Sequence, residues 1–437
     1  MKRFFLAISV LFFSGLSALA AVEVQEITSP GGINAWLVEE RSIPFTALEI
    51  RFRGGSALDA PGKRGAISLM MATLEEGAAD LDAQEFAAAR EALAASYHFN
   101  VFDDTTSISA RFLTENRDEA IALLKTAIME PSFDQDAIDR VRGQVESIIR
   151  SEATDPSDIA GLAFDKKVWG DHPYASSRNG TLESVGALTR DDILEARDRV
   201  FGLDRMYVSA VGDINAEELG ALLDELFGDL AETAAPLAEE ATYQLSKGVT
   251  VIDFDTPQSV ALFGHIGIER DDPDYMAAYV LNEVFGGGGF ESRLMQEVRE
   301  KRGLTYGVST FLLPMEYGQL VMGQVRSDNA RMAESIEVIR EEWAKIGRDG
   351  LTAEELEGAK TYLTGAYALR FDGNAPIARI MVGMQMIGLP VDYIRTRNDQ
   401  VNALTLEEIN RVAARIYQPD ELHFVVVGQP DGVESTN

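Results

Sequence analysis

Cysteine is absent from the 437 residues, so disulfides, thiol nucleophiles and cysteine-ligated metals are all excluded, and stability has to come from core packing. Histidine is almost as scarce. The four, His98, His172, His265 and His423, stand apart from one another. No His-Glu-x-x-His or His-x-x-Glu-His pair occurs, which removes the helical zinc-peptidase motifs. A Gly-x-Ser-x-Gly elbow is missing too, and with it the usual serine-hydrolase signature. Basic charge is in short supply: 39 Lys and Arg stand against 71 Asp and Glu, a net charge of -32. Such a surface repels nucleic acid and anionic lipid, and it is read as a solubility device or an adaptation to salt. Beyond the first twenty residues no apolar run is long enough to span a bilayer, so no stable membrane insertion is expected.

What is present begins with a basic start, Met1-Lys2-Arg3, followed by the apolar run from Phe4 to Phe13 and the small residues Ser14 to Ala20. This pattern is that of a secretory signal peptide over residues 1–20, ending in an Ala-x-Ala cleavage site. It places the mature chain in the periplasm or outside the cell. The length exceeds what one compact core accommodates, and 46% hydrophobic with 25% charged residues is an ordinary globular composition. Two or more domains are expected.

A duplication supplies them. Thr189-Arg190-Asp191-Asp192-Ile193 opens a helix that leads to the strand Met206-Tyr207-Val208-Ser209-Ala210-Val211-Gly212. Thr405-Leu406-Glu407-Glu408-Ile409 does the same ahead of Leu422-His423-Phe424-Val425-Val426-Val427-Gly428, and no gap is needed to superimpose the two stretches. The half-openings match more loosely: Ala47–Phe52 alternates as a strand before a helical pattern over Gly65–Glu76, and Ser259–Ile266 does so before a helix over Tyr275–Phe285. The fold class is therefore α+β, with two homologous domains, each a mostly antiparallel sheet packed with helices. The acidic, Ala-rich stretch 230–241 is the expected linker, between an N-terminal domain at 21–229 and a C-terminal domain at 242–437.

The densest local signal is Phe285-Gly286-Gly287-Gly288-Gly289-Phe290-Glu291-Ser292-Arg293-Leu294, continued by Gln296-Glu297-Val298-Arg299-Glu300-Lys301-Arg302-Gly303-Leu304-Thr305-Tyr306. The run lacks the Gly-Lys-Ser/Thr ending of a phosphate loop, so Gly287, Gly288 and Gly289 read as a hinge or substrate-approach loop. A short helix over Ser292–Lys301 would carry Arg299 in its last turn, and a strand from about Leu304 would carry Tyr306. A guanidinium fork and a phenol converging there would suit a peptide carbonyl as it becomes an oxyanion. The alternative is a surface arginine paired with Glu297 or Glu300 and a tyrosine filling the core.

The stretch Gly287–Tyr306 resembles the second-domain signature of the insulinase-like (pitrilysin) peptidases, and the duplication and the closing strand-Gly elements resemble the same family. In that family the Arg and Tyr of this motif bind the scissile carbonyl, which implies that role for Arg299 and Tyr306. Active relatives carry His-x-x-Glu-His on a first-domain helix and a distal Glu ligand. Aligned on Gly65 and Glu76-Gly77, those positions fall here on Ser68, Met71 and Ala72, with the distal ligand near Ile148. Glu146 lies close by but one step off the required helix face. The metal site is therefore expected to be lost and its pocket packed with apolar side chains; no cofactor is expected in this chain. The resemblance implies the zinc-less subunit of a heterodimer, paired with a homologous zinc-bearing subunit and acting on peptide, and inactive alone. A pseudo-peptidase that binds peptides or scaffolds an envelope assembly is the alternative.

Overall fold

The computed structural model describes residues 23–436, apart from the side chain of Phe290; the expected signal peptide lies outside them. Two sheets dominate. The first runs, edge to edge, Gln25–Thr28, Asn34–Glu39, Met206–Gly212, Phe45–Arg53, Thr105–Leu113 and Ser96–Val101. The second runs Gly248–Asp253, His423–Gly428, Gln258–Ile266, Gly318–Asp328 and Val308–Met315. With Gln25–Thr28 set aside, the two have one topology: the first strand of each half pairs with the last, then come the second, fourth and third. Even the exception matches. Among the described strands of the two sheets, the parallel pairs are Asn34–Glu39 with Met206–Gly212 and Gly248–Asp253 with His423–Gly428, equivalent in the two halves.

The repeat seen in the sequence has a local physical basis. Thr189 caps the helix Arg190–Val200 by accepting from the Asp192 amide while the Asp192 carboxylate reaches back, and Thr405 and Glu408 do the same for Leu406–Ile416. Each helix then delivers the chain to a closing strand that ends in glycine, Gly212 or Gly428, both at φ +147°.

Each half also lends a helix to the other. Helix Pro156–Trp169 starts at Asp155, whose carboxylate accepts from the Ser157 and Asp158 amides, with Pro156 in the first turn. Its apolar face, Ala160, Phe164 and Val168, lies at helical spacing and packs on the second sheet, against Val425, Val427 and Met322. Helix Asn374–Met386 returns the exchange, setting Ile377, Met381 and Met384 against Trp36, Ala47 and Val211 of the first sheet. The Ser209 hydroxyl donates to the Ala378 carbonyl at 2.6 Å and the Gln385 amide to the Val208 carbonyl at 2.8 Å. Separating the halves would strip both sheets of apolar cover. Residues 230–247 carry no helix or strand; they touch both halves, through the Ala235 amide to the Arg199 carbonyl and the Ala241 amide to the Tyr317 carbonyl. Among the described residues no helix is long and apolar enough to cross a membrane.

His265 is part of the second core. Its Nδ1 donates to the Ile266 carbonyl at 2.7 Å, which leaves Nε2 to accept from the Trp343 indole at 3.2 Å and the Gln418 amide at 3.3 Å. Burial pushes the imidazole down to about 4. The unfolded chain binds a proton between pH 6.5 and 4 that the folded chain refuses, so this group's stabilisation is complete above about pH 6.5 and is lost as pH falls toward 4, by about 3 kcal/mol. Denaturant midpoints near pH 7.5 and 4.5 should therefore fall further in the wild type than in His265→Gln. An identical fall in both would remove the effect.

Candidate functional site

The glycine-rich segment begins where a regular helix ends. Helix Tyr275–Asn282 widens into a π-helical turn over Glu283–Gly287, closed by the Gly288 amide donating to the Glu283 carbonyl at 2.8 Å. The α-helix expected through Phe285 therefore stops at Asn282, whose side chain is held by Thr310 in both directions, at 3.2 and 2.9 Å. Gly287 and Gly289 are exposed. Gly288 lines a cavity of about 350 Å³ with Glu283, Glu291, Glu355 and Tyr362. Arg293 grips Glu355 with two bonds of 2.6 Å and donates to the Gly350 carbonyl at 2.9 Å, which ties the segment to the helix Ala353–Tyr367.

The next turn departs from expectation in kind. Met295–Glu300 is π-helical, with the Lys301 amide donating to the Gln296 carbonyl at 3.0 Å. Such turns recur at functional sites, because the wider ring re-aims side chains. Arg299 sits here with its side chain 31% exposed and its Nε 3.5 Å from a Glu300 carboxylate oxygen; Glu297 is engaged by Lys301 and Arg302. A surface pair of this kind is worth at most about 1 kcal/mol.

Tyr306 is not on a strand. The strand begins at Val308, and residues 303–307 form a loop clamped at several points. The Gly303 amide donates to the Arg299 carbonyl at 2.7 Å and the Leu304 amide to the Val298 carbonyl at 3.0 Å, folding the loop back onto the turn that carries Arg299. Thr305 faces inward, and its hydroxyl donates to the Arg326 carbonyl at 2.5 Å and accepts from the Gly307 amide. With its neighbour turned inward, Tyr306 points outward and is 84% exposed. The core-filling alternative for this tyrosine is thus overturned. The backbone ties the loop that carries Tyr306 to the turn that carries Arg299, through residues 303 and 304.

The first half shows what stands at the metal positions. On the helix Ala66–Thr73, Ser68 is buried and its hydroxyl donates to the Arg178 carbonyl at 2.7 Å; Met71 is in the core, while Ala72 is exposed. Ile148 is 48% exposed; toward the end of the helix Gln135–Glu152 it is Ile149 that packs on the core. The expected apolar filling of the pocket is therefore corrected: of the three apolar side chains at these positions, Met71 alone is packed away, beside the buried hydroxyl of Ser68. Glu146 is engaged by Arg150 at 2.8 Å. A hydroxyl already donating to a carbonyl, a thioether in the core and two alkyl groups do not fit a zinc ion. Among the described residues no three His, Cys, Asp or Glu side chains gather as metal ligands.

Comparison with known proteins points to one family. Residues 187–363 match the family model described as the peptidase M16 inactive domain. A solved peptidase M16 inactive domain from Pseudomonas fluorescens superimposes with a TM-score of 0.88 at 28% identity, covering 94% of this chain and 99% of that one. The chain is thus similar to the peptidase M16 family, most directly over residues 187–363. This is the insulinase-like family that the Gly287–Tyr306 motif resembles. The chain is 27% identical over 429 residues to a protein of Helicobacter pylori named a non-peptidase homologue, covering 98% of each. It is 23% identical over 399 residues to a Bacillus subtilis protein named an uncharacterised zinc protease, covering 91% of this chain and 96% of that one. A protease structure from Helicobacter pylori, at 17% identity and a TM-score of 0.83, bears on the fold alone. Ser68, Met71, Ala72 and Ile148 lie outside the stretch that matches the inactive-domain model.

Proposed function

We propose that this chain is the zinc-less subunit of a heterodimeric M16 peptidase, exported to the periplasm or beyond, in which Arg299 and Tyr306 act on a peptide whose scissile bond faces a zinc ion held by a homologous partner. The observation that carries the reading is Tyr306: a phenol left 84% exposed on a loop clamped back onto the turn that bears Arg299. An outward ring adds nothing to the folded core and leaves its hydroxyl accessible to a ligand. A guanidinium and a phenolic hydroxyl on one rigid unit suit a carbonyl oxygen that gains negative charge. Gly287, Gly288 and Gly289 would let the peptide backbone approach closely, since they carry no side chain to obstruct it. Activation of water would fall to the partner.

Metal analysis of the purified chain tests the division of labour. Zinc should remain far below one equivalent after dialysis. Stoichiometric, tightly held zinc would make the chain an autonomous peptidase and overturn the proposal. Durable retention of a labelled unfolded peptide, with no hydrolysis when a zinc-bearing homologue is added, would assign the chain to peptide-binding scaffolds instead.

A further inference from the structure

Four arginines gather at a cavity away from Arg299 and Tyr306. A cavity of about 630 Å³ in the second half is lined by Arg270, Arg370, Arg379 and Arg397, and no Asp or Glu side chain lines it. In a chain with 71 acids and 39 bases, such a wall is the reverse of what composition favours. The volume falls within the range of small-ligand sites.

Arg397 anchors the site. Its side chain is 4% exposed, donates to the Leu363 carbonyl at 2.8 Å and to the Asn398 side chain at 3.0 Å, and lies over the rings of Tyr367 and Tyr279 at 4.7 and 5.7 Å. A guanidinium stays charged at any physiological pH, so burying one without a carboxylate beside it is costly. Glu283 feels its charge but does not line the cavity. Arg270 stacks 4.2 Å over Tyr275. Arg379 reaches Glu49 of the first sheet only at 3.8 Å. Arg370 is exposed and makes no hydrogen bond or ion pair among the described residues. The remaining wall is apolar, from Met276, Pro376, Ile380 and Met384. Three of these lie on the helix exchanged between the halves, so the cavity sits at their junction.

We infer that this cavity binds a carboxylate-bearing peptide segment, gripping the carboxylates with arginines and the flanking chain on tyrosine faces and apolar residues. Arginine forks match carboxylates in pairs of hydrogen bonds, and their stacking on tyrosine holds them ready. A bare inorganic anion would use the arginines but leave the apolar wall without a partner. Long-range repulsion from the acidic surface is damped at physiological salt, where the screening length is about 8 Å, so the nearby arginines dominate. The inference does not depend on Arg299, Tyr306 or a zinc-bearing partner.

Direct binding to the purified chain tests it, by fluorescence anisotropy of three labelled octapeptides: one Asp/Glu-rich with an amidated C-terminus, its Asn/Gln counterpart with an amidated C-terminus, and that counterpart with a free C-terminus. The acidic peptide should bind, the uncharged amide should not, and binding by the free-terminus version would assign the carboxylate to a chain end. The double variant Arg270→Gln, Arg370→Gln, whose side chains hold no other part of the fold by hydrogen bonds, should keep the wild-type unfolding midpoint and weaken binding roughly tenfold or more. Equal binding of charged and uncharged amides, unchanged affinity in the double variant, or inorganic phosphate binding as tightly as the peptide would each overturn the assignment.

Discussion

In a mixture with a zinc-bearing homologue, Arg299→Ala and Tyr306→Phe should each lower kcat/KM for an unfolded peptide by roughly 10²–10³, the usual effect of removing one donor from an oxyanion site. Both donors are proposed to meet charge that exists only as the carbonyl becomes tetrahedral, so the loss should appear in kcat rather than KM. Arg299→Lys should not rescue, since an ammonium cannot reproduce the planar fork. Tyr306→Phe is the cleaner probe, because it keeps the ring and removes only a hydroxyl on an exposed loop; no folding defect should accompany it. Activity unchanged in both variants would remove these residues from the reaction.

The second large effect concerns the fold and its duplication. Gly212 and Gly428 close equivalent strands at φ +147°, where a side chain is strained. A Cβ on Gly212 would lie 2.2 Å from the Phe45 carbonyl oxygen and 2.7 Å from the Thr46 Cα, and one on Gly428 would lie 2.3 Å from the Ser259 hydroxyl and 2.8 Å from its Cα. Backbone cannot retreat without breaking the pairing of a central strand. Gly212→Ala and Gly428→Ala should each cost about 3–5 kcal/mol, combining backbone strain with overpacking. Denaturant unfolding checks this; a loss under about 0.5 kcal/mol at either position would mean the two closures are not tight.

Much of this architecture is legible in local chemistry, and the illegible parts are nonlocal. The Thr189 and Thr405 capping boxes and the glycine-terminated strands act within a few residues, so the repeat can be read directly. Strand order cannot, because Phe45–Arg53 pairs with Met206–Gly212 from the far end of its half. The exchange of helices Pro156–Trp169 and Asn374–Met386 is invisible for the same reason: an apolar helix face does not say which sheet covers it. At the candidate site the residues are legible and their geometry is not. The sequence suggests a strand from Leu304, yet Thr305 turns inward to the Arg326 carbonyl and delays the strand to Val308. The absence of metal ligands follows from residue types, whereas the exposure of Ile148 depends on Ile149 packing on the core in its stead. The four-arginine cavity leaves no sequence signal, since its residues come from separate segments of the second half.

Mixing is the most direct measurement: hydrolysis of a labelled unfolded peptide by this chain, by a zinc-bearing M16 homologue from the same organism, and by the two at equal concentration. A rate in the mixture far above the sum of the separate rates is the predicted result. Rates that merely add, with a partner already fully active alone, would contradict a site shared between two chains.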